Sequence, residues 1–303
     1  MLRYFHRMLR LAVGALELTC ASVGNAQRVP GRDLLTFPLG LTGEAAAFGS
    51  GAASGLWNPA TGILERGERY RLGAAALSAP IDLALSGQVF HGATAIPALG
   101  TVSLSLAHAA VTDLLRTETD PQSIGDEVPY NTLVASVGVA RRVQSHLVVG
   151  AAARWHTGHI EGRTGQAFVT DAGVLADRLG TVDARLAVST FLWSFDGSDA
   201  PVLNAAMDAR VAGTDSLRSL RVGGAYARTR GRSTESYPYV EARFGKFILR
   251  GGPVRVNAYT TATWHLRVGV AMRHAGYTLA IAREEDESGL SPTYQLSIAN
   301  VIR

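Results

Sequence analysis

Between about Tyr70 and Arg303 the chain is a succession of short segments in which apolar and polar residues alternate. The clearest runs from Trp264 to Arg273. At a strand's period of two, Trp264, Leu266, Val268, Val270 and Met272 point one way, and His265, Arg267 and Arg273 the other. A soluble sandwich or a calycin-like barrel accepts such a pattern, with the apolar face inside. A transmembrane barrel inverts it, turning the apolar face to lipid and the polar face to a wet lumen.

Strand candidates recur along the chain. Alternation is clear at 81–86, 102–106, 147–155, 182–189, 203–211, 220–223, 240–244, 277–281 and 294–298, and weaker at 70–78, 131–142, 165–176 and 246–252. With the Trp264 segment this makes about fourteen, in the length range of tilted spans. Val143-Gln144-Ser145 and His274-Ala275-Gly276 read as tight turns; 112–131, 196–201, 229–236 and 284–291 read as longer polar loops. Short turns at one rim and long loops at the other fit an outer-membrane barrel.

The charged residues on the strands sharpen the choice. Arg154, Asp183, Arg185, Asp208, Arg210, Glu241, Arg243, Arg267 and Arg273 all fall on the predicted lumen face. Asp183 with Arg185, Asp208 with Arg210, and Glu241 with Arg243 place opposite charges two residues apart. A basic side chain at the bilayer midplane costs ~2–4 kcal/mol, so these residues are expected inside. The expected fold is all-β: a transmembrane antiparallel β-barrel of about fourteen strands.

The start of the chain reads as an export signal. Arg3, Arg7 and Arg10 precede an apolar stretch from Leu11 to Gly24, and Gly24 and Ala26 predict cleavage before Gln27. Residues 1–26 are thus expected to be removed, although Glu17 is an awkward guest in the stretch. Thr19 is bulky for the position before a lipidated cysteine. Cleavage at Ala26 leaves 303 − 26 = 277 residues without cysteine, since the single Cys20 departs. Disulfides, thiolate metal sites and a cysteine nucleophile are then excluded. No later stretch reaches the ~18 apolar residues of a helical span. The bases are interleaved with acids, 26 against 24 after cleavage, so no basic stripe for nucleic acid is present.

Residues 27–68 differ from the rest. The run Gly40 to Gly55 is rich in small residues, unpatterned, and unable to build a core of its own. It leads to Leu56-Trp57-Asn58-Pro59-Ala60. Catalytic signals are weak: there is no Gly-x-Ser-x-Gly elbow, and no Ser/His pair is marked by spacing. His156 and His159 have a spacing that metal sites use, but read better as solvated rim residues. Glu284-Glu285-Asp286-Glu287 reads as a solvated acidic loop, lacking the glycine that shapes a Ca²⁺ loop. No catalytic residue, metal or cofactor is expected.

The run from Gly43 through Ala46, Phe48-Gly49 and Ala53 to Trp57-Asn58-Pro59-Ala60 resembles the N-terminal signature of the FadL/PorV-like outer-membrane proteins. The C-terminal strands, from Leu266–Arg273 to Thr293–Arg303, are similar as well. The resemblance implies a fourteen-stranded barrel (residues 69–303) with residues 27–68 as a hatch in the lumen. Trp57, Asn58, Pro59 and Ala60 would join hatch to first strand. It further implies passage of hydrophobic small molecules across the bacterial outer membrane. Phe48, Leu56, Trp57, Phe90, Phe191 and Trp193 would be the apolar lining. The alternative it carries is a protein-interaction barrel of the type IX secretion shuttle kind, with an exported protein as partner. Membrane lipid and the barrel-insertion machinery are partners in either case. Three departures stand out. Ser50–Gly55 replaces the acidic residues usual before Asn-Pro-Ala, Thr61 replaces a glycine, and the last residues, Asn300 to Arg303, lack a terminal aromatic.

Overall fold

The computed structural model describes residues 29–36, 44–79, 84–112, 114, 128–194, 201–213, 218–229, 233–258, 261–286 and 292–303. The expected signal segment lies outside them. Fourteen strands form one closed antiparallel barrel in which each strand pairs with its sequence neighbours and the last pairs with the first. They are β1 (Tyr70–Ser78), β2 (Leu85–Ile96), β3 (Gly100–Val111), β4 (Tyr130–Gln144), β5 (Leu147–Ile160), β6 (Arg163–Leu179) and β7 (Ala184–Phe191). The second half comprises β8 (Val202–Ala212), β9 (Arg218–Thr229), β10 (Ser233–Phe244), β11 (Phe247–Ala258), β12 (Thr261–His274), β13 (Tyr277–Asp286) and β14 (Thr293–Ile302). Tyr70 opposite Ile302 closes the ring.

Alternation decides which way each strand faces. On β3, Thr101, Ser103, Ser105, Ala107 and Ala109 are buried inward, while Leu104 is 61% exposed on the other side. The same holds around the barrel, with Phe168 at 83%, Met207 at 63% and Leu296 at 62% exposure. A continuous apolar band of this kind far exceeds the few hundred Å² that a soluble monomer tolerates. The apolar face is the lipid face.

Several sequence-based expectations change. Of the strand expected at 81–86, residues 81–83 lie outside the described residues; β2 runs on from Leu85 to Ile96, carrying Gly87 and Gly92 in an otherwise alternating stretch whose glycines weaken the pattern. Of the loop expected at 229–236, Thr229 and residues 233–236 are in strands, with the polar side chains of Thr234 and Ser236 on the outer face, and 230–232 lie outside the described residues. The acidic loop at 284–287 begins later, since β13 extends through Asp286. Asp183 stands in the turn before β7 with φ of 44°, not on a strand.

At one rim, two-residue turns such as 145–146, 245–246 and 275–276 join the strands; the opposite rim carries the connections 112–129 and 192–201. Ala275 and Gly276 have φ of 48° and 84°, the positive values a two-residue hairpin turn demands. The wall is irregular in two places. Between the β10–β11 pairs Ser236–Arg255 and Val240–Gly251 stand Pro238 and Pro253, neither of which has an N–H to donate. Where β7 ends, Leu192 takes φ of 57° and the bridge Thr170–Trp193 resumes the pairing with β6.

Inside, a short helix α1 (Arg32–Thr36) and three 3-10 turns, Ala46–Phe48, Gly51–Ala53 and Pro59–Gly62, occupy the lumen. Pro30 lies against Gly158 towards the longer-loop rim, and Leu34 packs with Leu77, Leu85 and Ala109 there. The chain leaves at the short-turn rim, where Arg69 N–H donates to Ile302 O at 2.8 Å and β1 begins.

Candidate functional site

The segment 44–64 and the wall holding it form the candidate site. Its local shape follows from Asn58-Pro59-Ala60. Pro59 fixes φ and has no N–H to satisfy, which suits the first position of the 3-10 turn. Asn58 caps that turn: its Oδ1 accepts from Ala60 N–H at 3.0 Å, and its Nδ2 donates to Ala47 O at 2.9 Å and Val174 O at 3.3 Å. One side chain therefore ties three stretches of backbone. Thr61, the departure from the resembled signature, has work of its own. Its hydroxyl donates to Asn58 O at 2.9 Å and accepts from Gly55 N–H at 3.0 Å, while Ser54 Oγ donates to Thr61 O at 2.6 Å.

The wall makes room for this knot. Gly150 on β5 and Gly173 on β6 are direct cross-strand partners. A methyl at Gly150 would sit 2.4 Å from Ala60 N, and one at Gly173 1.9 Å from Asn58 Oδ1. The paired glycines form a notch that Asn58–Ala60 fills. Mid-strand glycine was a readable sign of close backbone approach.

Beside the notch lies an apolar seam. Leu56 and Phe191 are fully buried and Trp57 is 4% exposed; the Trp57 and Phe191 rings are 4.5 Å apart. Ser189 Oγ donates to Trp57 O at 2.8 Å. Arg154 lies over Phe191 at 5.0 Å, bonds Leu56 O, and pairs with Asp171, both side chains wholly buried. Asp171 in turn accepts the Trp193 N–H at 3.2 Å. Trp193 is half-buried at the end of β7, joined to Thr170 by its backbone. Phe48, 5% exposed, stands farther round the lumen under the Arg185 guanidinium at 4.6 Å. Leu56, Trp57 and Phe191 thus form a packed core rather than the lining of an open pocket.

Phe90 is a correction. It is 51% exposed on the outer face of β2, because inward positions there are odd-numbered and the Gly87–Gly92 stretch hid that register. With Leu104, Trp155 and Phe168 it borders a shallow concavity of about 780 Å³ on the outer wall.

The charged residues pair across strands. Arg185 bonds Asp208, with its Nε at 3.0 Å, and Arg221 Nε and Tyr239 Oη reach the same carboxylate at 2.9 Å each. Asp183 takes Arg210 at 2.5 Å and Arg221 at 2.9 Å. Of the three same-strand pairs expected, only Glu241–Arg243 forms, at 2.8 Å. The reason is geometric: cross-strand neighbours lie closer than residues two apart on a strand. Glu241 also binds Arg250 at 2.6 Å, and Arg250 reaches Glu44 of the lumen segment at 3.0 Å. Arg267 pairs with Glu284 at 2.5 Å and Glu235 at 3.0 Å. Arg273 occupies an inward register position but is exposed beside the 275–276 turn.

Sequence reading missed Asp171, Arg221, Glu235, Arg250 and Glu284, although each keeps the period of two. Glu44 sits in an unpatterned stretch and gave no such signal. His156 and His159 fall on opposite faces. His156 is buried against Thr132 Oγ1 at 2.9 Å, and His159 meets Thr164 Oγ1 at 2.9 Å outside, so the two cannot share a metal. Glu284 is a lumen residue and Glu285 an outer one, so the expected acidic cluster is divided by the wall.

No protein-family model and no curated protein sequence matches the chain. Solved structures do. The fold is similar to that of TodX. The toluene transporter TodX of Pseudomonas putida aligns over 86% of this chain and 98% of its own, at 12% identity and a TM-score of 0.52. A deltaS2S3 mutant of TodX, described as a monoaromatic hydrocarbon channel, aligns over 84% and 94%, at 11% identity and 0.52. The outer-membrane protein Omp33 of Acinetobacter baumannii aligns over 78% and 98%, at 9% identity and 0.43. At these identities the likeness to TodX is one of fold.

Proposed function

We propose that this chain is an outer-membrane barrel that passes hydrophobic small molecules, with residues 44–64 as its gate and a distant kinship to the FadL-type channels. The observation that carries the reading is the seam of Leu56, Trp57 and Phe191 at the join of segment and wall, one of several buried apolar clusters that stand in the lumen alongside its ion pairs. Packed shut as it stands, the seam would offer a hydrocarbon an apolar path, and a polar solute none, once the segment moves. TodX, whose fold is similar, is a toluene transporter, which supports the same substrate class. Residues 1–26 would direct export and be removed, and the insertion machinery would place residues 69–303 in the membrane.

Gly173→Ala tests the gate. Its backbone needs no positive φ, so the barrel should assemble, yet the new methyl collides with Asn58 Oδ1 at 1.9 Å and displaces the segment. In proteoliposomes the wild type should admit a monoaromatic hydrocarbon faster than protein-free vesicles do, and Gly173→Ala should raise that rate several-fold. A wild type no faster than bare vesicles, with the variant equally inert, would refute passage. Capture of an exported protein by such an inert barrel would favour the shuttle alternative.

A further inference from the structure

The buried Arg154 guanidinium is only partly satisfied. Its Nε bonds Asp171 and its Nη2 donates to Leu56 O. Nη1 has no hydrogen-bond partner among the described residues, although the side chain is wholly buried. A second donor in the same state lies at the same aromatic ring. Trp57, its ring 4.5 Å from that of Phe191, keeps Nε1 unpaired while 4% exposed. The Arg154 guanidinium stands 5.0 Å from that Phe191 ring. Around one side chain the seam thus holds more donors than acceptors. A buried donor left unmet costs free energy, so each one calls for an acceptor that completes it. The rest of the seam is apolar: Leu56, Val169, Leu192 and Val202 are buried in the same cluster.

The closed seam already holds one group of the kind that fits. Leu56 O is a neutral oxygen carried on an apolar residue, and it belongs to the segment, whereas Arg154, Asp171 and Phe191 belong to the wall. Movement of the segment would take Leu56 O away and leave on the wall a guanidinium whose Nη1 and Nη2 are both free, beside an aromatic face. Asp171 neutralises that guanidinium, so a carboxylate brought to it would add a negative charge with no counterion in a buried site. A neutral oxygen carries no such cost, and in an apolar site the few polar groups set the specificity. We propose that the molecule passing the gate is a neutral hydrophobic compound bearing a carbonyl or hydroxyl oxygen. Arg154 is its polar contact, and Leu56 O holds the place of that oxygen while the gate is shut. The inference deepens the passage reading and rests on it.

The test measures equilibrium binding of toluene, acetophenone and benzoate to the full chain in detergent, with Gly173→Ala to displace the segment. Acetophenone should bind roughly tenfold more tightly than toluene, the worth of one hydrogen bond to a charged donor, and benzoate no more tightly than toluene. The carbonyl stretch of bound acetophenone should move to lower frequency than in detergent alone. Adding Arg154→Met together with Asp171→Leu leaves no charge uncompensated. That protein should bind toluene and acetophenone alike, with the stretch unshifted. Toluene and acetophenone bound equally by the Gly173→Ala protein would overturn the proposal while leaving hydrocarbon passage intact. So would a preference for benzoate, or a preference for acetophenone that survives in the folded protein lacking Arg154. Should that protein fail to fold, the carbonyl stretch in the Gly173→Ala protein decides, and an unshifted one overturns the proposal. Should no aromatic compound bind at all, the passage reading itself fails and this inference with it.

Discussion

Asp171 and Arg154 show what one residue can do inside this lumen. Their side chains are wholly buried, and Arg154 is further held by Leu56 O and the Phe191 ring. Replacing both by apolar groups could be nearly neutral, but removing one leaves a buried charge uncompensated. Asp171→Asn should therefore destabilise the folded barrel by about 3–5 kcal/mol, lowering the temperature at which its gel migration shifts. An unchanged transition would mean that water reaches Arg154. That Arg154 faces inward was legible from its place among Ala152 and His156. Its partner, 17 positions away, was not, because register is a property of two strands and not of one. The same limit explains Asp208, which pairs with Arg185 on the next strand rather than with Arg210 two positions on.

Elements in this barrel are readable in proportion to the contrast between their faces. β12 alternates large apolar with charged residues and was located from sequence with its facing correct. β2 mixes glycine, histidine and glutamine, and both its limits and the side chosen for Phe90 were misread. β10 illustrates a third case: Thr234 and Ser236 read as loop because polar residues are not expected on a lipid face, yet they are strand residues near the longer-loop rim. For β12 the orientation has a direct check. Cysteine at Val268 or Val270 should react with a lipid-confined probe, and cysteine at Arg273 with a water-soluble maleimide. The reverse pattern would shift the strand by one residue and turn every side chain to the other face.

The molecule as a whole is a barrel with its apolar surface outside and its charges within. Phe168, Leu104, Met207 and Leu296, on different strands, are all more than half exposed. The protein should accordingly need detergent to remain dispersed, and should migrate faster on gels unheated than boiled. Val268→Arg, in the middle of β12, should cost ~2–4 kcal/mol of membrane-folded stability, whereas the same change at a rim position should cost little. A Val268→Arg protein as stable as the wild type would be incompatible with lipid on that face.

Strand number, strand facing and the inversion of polarity were present in the sequence, because a period of two is written locally and each strand carries its own copy. The special character of residues 27–68 was also visible, as a stretch unable to form a core alone. What only the tertiary structure decided is where that stretch goes and what it touches. The notch of Gly150 and Gly173 under Asn58, the Arg250–Glu44 tie and the seam of Trp57 with Phe191 join residues far apart in sequence. Such contacts depend on closing the ring and setting the stagger of every strand, and no local pattern encodes them.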